Sequence, residues 1–263
     1  MPLAIETSLV YQFATPTDFL LQIEAATIPE QTVADVRFSA TATEHFSRVE
    51  AEDRIGQRIW MRHQGEFTVD YAATVTIDRL LGDLAAMPAV PPHLLPGETV
   101  PYLMDSLYCP AERFQCFVEA EFAGLCGGAR IMAIHDWIAS QLSYVPGSSD
   151  SRTTALDSFV ERRGICRDYA HLMITLARAS AIPARFVSAY GPDVTPQDFH
   201  AVAEVFLASA DTGGAWHLID PTGMSRPDEL AKIGVGRDAA DVSFLTCYGS
   251  AKLSSKQISV TRV

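Results

Sequence analysis

The segment GICRDYAHLMITLARASAIPAR, residues 164–185, constrains the fold of this chain more than any other part of the sequence. Apolar residues recur in it at helical spacing from Leu172 onward. Gly164 breaks the preceding segment and Pro183 ends the pattern, so a long buried helix is predicted between them. Cys166 then lies in the first turn of that helix, where backbone N–H groups have no partner within the helix.

A cysteine at this position has two interpretations. Free cysteine is often a small apolar residue of the core, with no chemical role. A thiolate, however, is a strong nucleophile, and free helix N–H groups and nearby cations favour ionisation of a thiol. Arg162, Arg163 and Arg167 place positive charge close to Cys166 along the chain. This context favours a reactive thiol.

Two later segments supply the partners that such a thiol needs. The run DFHAVAEVFL, residues 198–207, places His200 at the start of a pattern rich in Val and Phe. The run AWHLIDPTG, residues 215–223, places Asp220 at the end of another. Both patterns are typical of strands, and we predict that they form neighbouring antiparallel strands that carry both side chains to Cys166. A nucleophile, a general base and a carboxylate that orients the base follow in this order.

These blocks, taken in order, resemble the transglutaminase-like superfamily of cysteine enzymes, in particular its bacterial protease-like members. The blocks are GICRDYAHL, FHAVAEVFL and WHLIDPTG, followed by GRDAADVSFLT at residues 236–246, and the likeness extends from about Tyr102 to the C-terminus. The resemblance implies a nucleophile at Cys166, a general base at His200 and an orienting carboxylate at Asp220. It also implies a papain-like, transglutaminase-like catalytic domain in which helices pack on an antiparallel sheet.

The pattern along the chain predicts an α+β protein with two parts. SLVYQFATPTDFLLQIEAA and GEFTVDYAATVTID alternate with period two, as expected of an antiparallel β-sandwich-like domain. The proline-rich MPAVPPHLLPGETVP is typical of a linker. Helical patterns follow it before strands return, which favours segregated helices and strands over strict alternation. We therefore expect a β-rich N-terminal domain over residues 1–100, including the linker, and a catalytic domain over residues 101–263; the first part also resembles the β-rich region of bacterial family members.

Composition argues against several classes of function. The net charge is −12, from 20 Lys and Arg against 32 Asp and Glu, so a nucleic-acid partner is not expected. The sequence lacks the long apolar run of a membrane span, and a membrane partner is not expected either. Five cysteines without a C-x-x-C pair fit reduced thiols in the cytoplasm. The irregular spacing of Cys109, Cys116 and Cys126 is unlike a zinc site, and we expect no metal and no cofactor.

The expected activity is hydrolysis of a peptide or amide bond in a peptide or protein substrate, through a thioester at Cys166. Two alternatives stay open: transfer of the acyl group to an amine, as in a transglutaminase, and a non-catalytic binding module on the same fold. An oxyanion forms during attack, and the backbone N–H of Cys166 is its first expected donor. Trp137, Gln141 and Tyr144 each carry a suitable N–H or O–H, and the sequence does not choose among them.

Overall fold

The computed structural model describes residues 2–79, 81–209 and 213–263. The helices are α1 (Gln115–Glu121), α2 (Gly127–Gln141), α3 (Ala155–Glu161) and α4 (Cys166–Ala179). The strands are β1 (Pro2–Leu21), β2 (Gln31–Ala40), β3 (His45–Glu50), β4 (Gln57–Ile77), β5 (Ser143–Tyr144), β6 (Arg163–Gly164), β7 (Ala184–Tyr190), β8 (His200–Leu207), β9 (Ala215–Ile219), β10 (Ala231–Gly236), β11 (Leu245–Cys247) and β12 (Ala251–Arg262).

The first part of the chain forms one antiparallel six-stranded sheet built on the long strands β1 and β4. Alternate residues of β1 are buried, because successive side chains of a strand point to opposite faces. The pairing of β1 with β4 shifts between Phe13 and Thr17, opposite Gly65, whose φ of +95° suits glycine. The rings of Phe13 and Phe19, one on each side of this irregularity, stack with centroids 4.7 Å apart. The expected sandwich-like part is therefore built on a single sheet with an irregularity in its pairing, since β1 and β4 pair on both sides of it.

The last strands of the chain return to this first sheet. β11 and β12 both pair antiparallel with β1, so that Leu3 lies opposite Arg262 and Leu21 opposite Leu245. The division expected at residue 101 remains a prediction, but the sheet itself takes strands from both sides of it. Local alternation in the sequence does not reveal such a pairing, because the partners are far apart along the chain.

The second sheet, with strand order β10-β7-β8-β9, is antiparallel throughout and carries the helices. Helix α4 is buried along its length, from Asp168 to Arg178. Its apolar side chains share one core with residues of β8, such as Val205, and of α2, such as Ile134. This layer of helices on an antiparallel sheet confirms the expected α+β class.

The two sheets share a core and are joined by buried polar contacts. Tyr190 of β7 lies in the core of the first sheet together with Phe199 and Ile233. Its hydroxyl donates to the carbonyl of Ile23 at 2.7 Å and accepts from the Thr7 hydroxyl at 3.0 Å. The first sheet therefore supports the strands that carry the candidate site.

Candidate active site

Cys166 begins α4, in the first turn, as the sequence predicts. The preceding Ile165 is extended, and its N–H donates to the Asp168 carboxylate at 2.8 Å, which holds the first turn in place. A Cβ at Gly164 would lie 2.6 Å from the Cβ of Asp168, so the close approach of β6 to the helix requires glycine. These contacts fix the backbone on which the thiol is carried.

His200 and Asp220 lie on neighbouring strands, as predicted. β8 begins at His200, Asp220 directly follows β9, and the two strands pair antiparallel with Ala203 opposite Ile219. The imidazole Nε2 donates to Oδ2 of Asp220 at 2.8 Å. Both side chains are buried, which removes water from competition for this hydrogen bond.

The Asp220 carboxylate accepts further hydrogen bonds from the turn that follows it. Oδ1 accepts from the N–H of Thr222 at 2.9 Å and from its hydroxyl at 2.7 Å, while Oδ2 also accepts from the N–H of Ser225 at 2.9 Å. Burial opposes ionisation, but the hydrogen bond and charge of His200 and the donors of Thr222 outweigh it and lower the pKa of Asp220. The carboxylate is therefore a stable anion next to the imidazole.

The other ring nitrogen of His200, Nδ1, makes no hydrogen bond with a described residue. His200 and Cys166 line the same cleft, and Cys166 contributes to the titration of the ring. Burial disfavours the charged ring, but hydrogen bonding and charge from Asp220 and Cys166 raise the pKa of His200 to about 9. The raised pKa favours the protonated form of the ring at neutral pH.

Cys166 and His200 open onto a cleft of about 340 Å³. Aromatic rings line much of it: Tyr108, Phe186, Phe199 and Phe244. The ion pair between Asp198 and Lys256 also lies on its wall, and Lys256 belongs to β12 of the first sheet. Larger cavities, of about 730 and 660 Å³, do not contain the thiol. Chemistry rather than volume therefore identifies the smaller cleft as the candidate active site.

Of the three arginines near Cys166 in the sequence, one lines the cleft and two contact other side chains. Arg167 lines the cleft. The guanidinium of Arg162 lies 4.7 Å from the ring centroid of Trp137 and 4.4 Å from that of Phe159, and Arg163 forms an ion pair with Glu161. Of the three arginines expected near the thiol, Arg167 is therefore the one that lines the same cleft as Cys166.

Of the candidate oxyanion donors, Tyr144 is the one next to Cys166. β5 pairs in parallel with β6, with Tyr144 opposite Gly164, which lies two residues before Cys166 in the sequence. Trp137 stacks on Phe159 and Gln141 is exposed at the end of α2. Sequence patterns could not select Tyr144, because its strand has only two residues and no periodicity.

Sequence reasoning also missed the cleft residues that the C-terminal part supplies. Val242, Ser243 and Phe244 line the cleft, and Lys256 joins them from β12. The available signal was the family-like block at residues 236–246, which these residues partly overlap.

The described residues contain neither a group of side chains suited to a metal ion nor a helix suited to a membrane. Within residues 2–79, 81–209 and 213–263, no three His, Cys, Asp or Glu side chains are grouped so that they could hold a metal ion. In the same ranges, no helix combines the length and apolar character needed to span a bilayer.

Comparison with known proteins identifies relatives of this fold and site. Residues 124–221, which include Cys166, His200 and Asp220, match the sequence model of the transglutaminase-like superfamily. An uncharacterized protein of Mycobacterium leprae is 33% identical over 118 residues, 43% of this chain and 42% of that protein. One from Mycobacterium tuberculosis is 31% identical over 119 residues, 40% of this chain and 37% of that protein. The chain thus aligns with less than half the length of these curated relatives.

A solved structure matches nearly the whole chain. The crystal structure of a candidate cysteine protease from Cytophaga hutchinsonii superposes with a TM-score of 0.92 at 30% identity. The match covers 99% of this chain and 90% of that protein, so it extends over nearly all of the described helices and strands.

Proposed function

Since the chain belongs to the transglutaminase-like superfamily, we propose that it is a cysteine-dependent hydrolase of peptide or amide bonds. Cys166 is the nucleophile, His200 the general base and acid, and Asp220 the residue that orients the imidazole. The observation that carries the proposal is the buried His200–Asp220 hydrogen bond of 2.8 Å beside the cysteine that begins α4.

Acylation follows from this arrangement. The Cys166 thiolate attacks the carbonyl carbon, forming a C–S bond while the carbonyl π electrons move onto oxygen. That oxyanion accepts a hydrogen bond from the backbone N–H of Cys166. When the C=O bond re-forms, the C–N bond breaks and the leaving amine takes a proton from the His200 imidazolium. The products are an amine, a thioester on Cys166 and a neutral imidazole.

Deacylation reverses the proton transfer. Water attacks the thioester carbon as neutral His200 accepts one of its protons, and collapse of the second oxyanion returns the C–S electrons to sulfur. A carboxylic acid leaves and the thiolate–imidazolium pair is restored. We propose water rather than an amine as the acceptor, because water is always present whereas transfer requires a site that excludes it.

The decisive experiment uses p-nitrophenyl acetate, whose acetyl group reports both half-reactions. We expect one acetyl group on Cys166 by intact mass and peptide mapping, and steady release of acetate. Cys166→Ala should lose both, whereas Cys116→Ala, at an exposed cysteine outside the cleft, should keep both. Turnover that survives Cys166→Ala would refute the proposal, and a modified but inert protein would favour a binding module.

Hydrolysis and transfer differ in the product formed when an amine is present. With a glycine amide added to the same reaction, the proposed hydrolase releases mainly acetate. Acetylated glycine amide as the main product at millimolar amine would instead assign the protein as a transferase.

We also propose a reducing compartment, the cytoplasm, as the place where the protein acts. All five cysteines lie within the described residues and are free thiols, which is the usual state of cytoplasmic cysteines. Recovery of the native protein from an oxidising compartment by cell fractionation would contradict this proposal.

A further inference from the structure

We infer that His171 is a positioning residue for the substrate. It holds the wall of the active cleft formed by Ala239 and residues 242–244, and this wall binds the acyl group that is transferred to Cys166. The inference rests on the proposed function and adds to it a residue that does not itself line the cleft.

His171 lies on the helix of the nucleophile but on another side of it. Five positions separate it from Cys166, a rotation of about 140° around α4. Its side chain is fully buried, and three of its neighbours line the cleft. The ring of Tyr108 stacks on the imidazole with centroids 5.0 Å apart, and that of Phe186 lies at 5.2 Å. The backbone N–H of Ala239 donates to Nε2 at 3.2 Å, so the imidazole supports the cleft from behind.

The hydrogen bond from Ala239 fixes the form of the imidazole. A ring nitrogen that accepts an N–H carries no proton, so His171 is neutral and its proton is on Nδ1. Burial, followed by the charges of Arg167 and Arg178, lowers the pKa of His171 well below its usual range, which favours this neutral form. Nδ1 has no hydrogen-bond partner within residues 2–79, 81–209 and 213–263. An unpaired buried donor costs free energy, so the contact made by Nε2 is the polar role of this side chain.

Two further buried polar side chains hold the same wall. Asp238 accepts the backbone N–H of Tyr108 at 3.0 Å. Arg178, two turns after His171 on the same helix, donates to the carbonyl of Arg237 at 2.6 Å. The backbone at the start of the wall is thus bound to two positions of α4, and it is tied through Asp238 to the aromatic ring on the other side of His171.

The wall continues from Ala239 along the cleft. Residues 242–244 line the same cavity as Cys166, and the ring of Phe244 stacks on that of Phe199 with centroids 4.9 Å apart. In a cleft of about 340 Å³, an acyl group larger than acetyl lies against these apolar side chains when its carbonyl carbon is at the sulfur. Since α4 carries the thiol and also holds the wall, His171 fixes the position of the bound acyl group relative to the nucleophile.

The test compares three reagents that depend on the wall to different degrees. Iodoacetamide alkylates the thiol, p-nitrophenyl acetate acylates it with a short group, and p-nitrophenyl 3-phenylpropanoate acylates it with a group that extends over the wall. In the wild type, the phenylpropanoate should react at least about tenfold faster than the acetate, after correction for the reactivity of each ester with a free thiol. For His171→Phe, which keeps an aromatic ring but leaves the N–H of Ala239 unpaired, the rate for the phenylpropanoate should fall by about 30-fold relative to the other two rates.

Matched variants identify the contact that matters. His171→Gln and His171→Asn both lack the ring, but only the glutamine oxygen reaches the position of Nε2. The Gln variant should therefore keep the ratio of the two acylation rates within about threefold of the wild type, and the Asn variant should not. Thr175→Val, at another fully buried polar residue of α4, should change this ratio by less than about twofold. A variant that merely loses stability has fewer active molecules, so all three rates fall by the same factor.

Three results would overturn the inference. The first is a wild-type protein in which the phenylpropanoate gains no rate over the acetate. The second is a folded His171→Phe variant with the wild-type ratio of acylation rates, and the third is a Gln variant that behaves like the Asn variant. If circular dichroism shows that His171→Phe is not folded, the Gln and Asn variants decide by the same criterion. Retained ester turnover in Cys166→Ala would instead refute the proposed function itself.

Discussion

Strand β8 carries two buried acid–base clusters that differ in the mobility of their protons. At its start, His200 donates to Asp220. Within it, Glu204 is paired with Arg185 at 2.7 Å and with Lys232. The carboxylates of both clusters are almost fully inaccessible to water, at 2% side-chain exposure for Asp220 and 1% for Glu204. The two carboxylates are therefore equally buried. The clusters differ in the side chains with which these carboxylates are paired.

The partners of Glu204 are the side chains of Arg185 and Lys232. Burial opposes the ionisation of Glu204, but these two partners lower its pKa to about 2, so the carboxylate stays ionised at every physiological pH. Arg185 also binds Asp53 at 2.7 Å and Lys232 binds Glu30 at 2.6 Å, both in the first part of the chain. This cluster ties the two sheets together and has no proton to exchange.

The partner of Asp220 is an imidazole, which can give up its proton to a leaving group and take one from water. The same strand thus carries one fixed cluster that supports the structure and one titratable cluster that can do chemistry. The predictions below test this division.

The largest expected effect is on turnover in Asp220→Asn. The amide keeps the shape of the carboxylate but removes the charge that stabilises the imidazolium and fixes the orientation of the ring. By analogy with triads in general, kcat should fall by about 10⁴-fold, or ~5.5 kcal/mol of transition-state stabilisation. Steady-state kinetics and circular dichroism on the same preparation measure the loss and confirm the fold. Near-normal kcat would leave a dyad of Cys166 and His200.

The next effect is on stability, in Glu204→Gln. Loss of this charge leaves Arg185 and Lys232 with too little countercharge in a buried site, so the free energy of unfolding should fall by about 3 kcal/mol or more. Urea titration measures it. Asp18→Asn, which breaks the exposed 2.8 Å pair with Arg62, should cost less than about 1 kcal/mol.

The turnover of the same variant, Glu204→Gln, tests the comparison between the two clusters of β8. Folded Glu204→Gln should keep kcat within about threefold of the wild type, because the cluster holds no mobile proton. A loss of kcat as large as in Asp220→Asn, with little loss of stability, would contradict the division of β8 into a structural and a chemical cluster.

The two clusters should also respond to opposite ends of the pH range. His200 has a raised pKa of about 9, so the imidazolium, the acylation rate and its share of stability are present at lower pH and lost as pH rises through that value. Above it, acylation by an amide, whose leaving amine needs the proton of the imidazolium, should fall by about tenfold per pH unit. Glu204 has a lowered pKa of about 2, so its contribution to stability is present above the ordinary carboxyl range and lost as pH falls towards that value. Single-turnover acylation and urea titration across pH measure the two limits.

Local sequence patterns predicted the elements that carry the proposed chemistry. Gly164 and Pro183 bound the helix because one permits close approach and the other cannot continue it. His200 and Asp220 fall at the ends of apolar runs of strand length, and their strands pair as expected. Hydrophobic periodicity and the bounding glycine and proline residues were sufficient here because each element is defined by its own residues.

The same patterns could not predict contacts between distant segments. The choice of Tyr144 depends on the short parallel pairing of β5 and β6, and Lys256 reaches the cleft only because β12 returns to β1. Glu204 and Arg185 did leave a signal, since each is a charged residue inside an apolar strand run, where an unpaired charge would be too costly. What such a signal lacks is the identity of the partner, which only the fold supplies.

The smallest expected loss is in Thr222→Val, which removes one of the hydrogen bonds that the Asp220 carboxylate accepts. The change removes the 2.7 Å hydrogen bond from the hydroxyl to Oδ1 of Asp220 but keeps the backbone donor at 2.9 Å, and valine has nearly the shape of threonine. A lost hydrogen bond to a charged acceptor costs about 1 kcal/mol, so kcat should fall about fivefold, and the carboxylate, less well held, should have a higher pKa. Thr222→Ser keeps the hydroxyl and should restore kcat, measured on the same ester. If both variants match the wild type in kcat and in the pH dependence of acylation, the hydroxyl is only part of the turn, and the hydrogen bonds from Ser225 and the backbone are sufficient to position the Asp220 carboxylate.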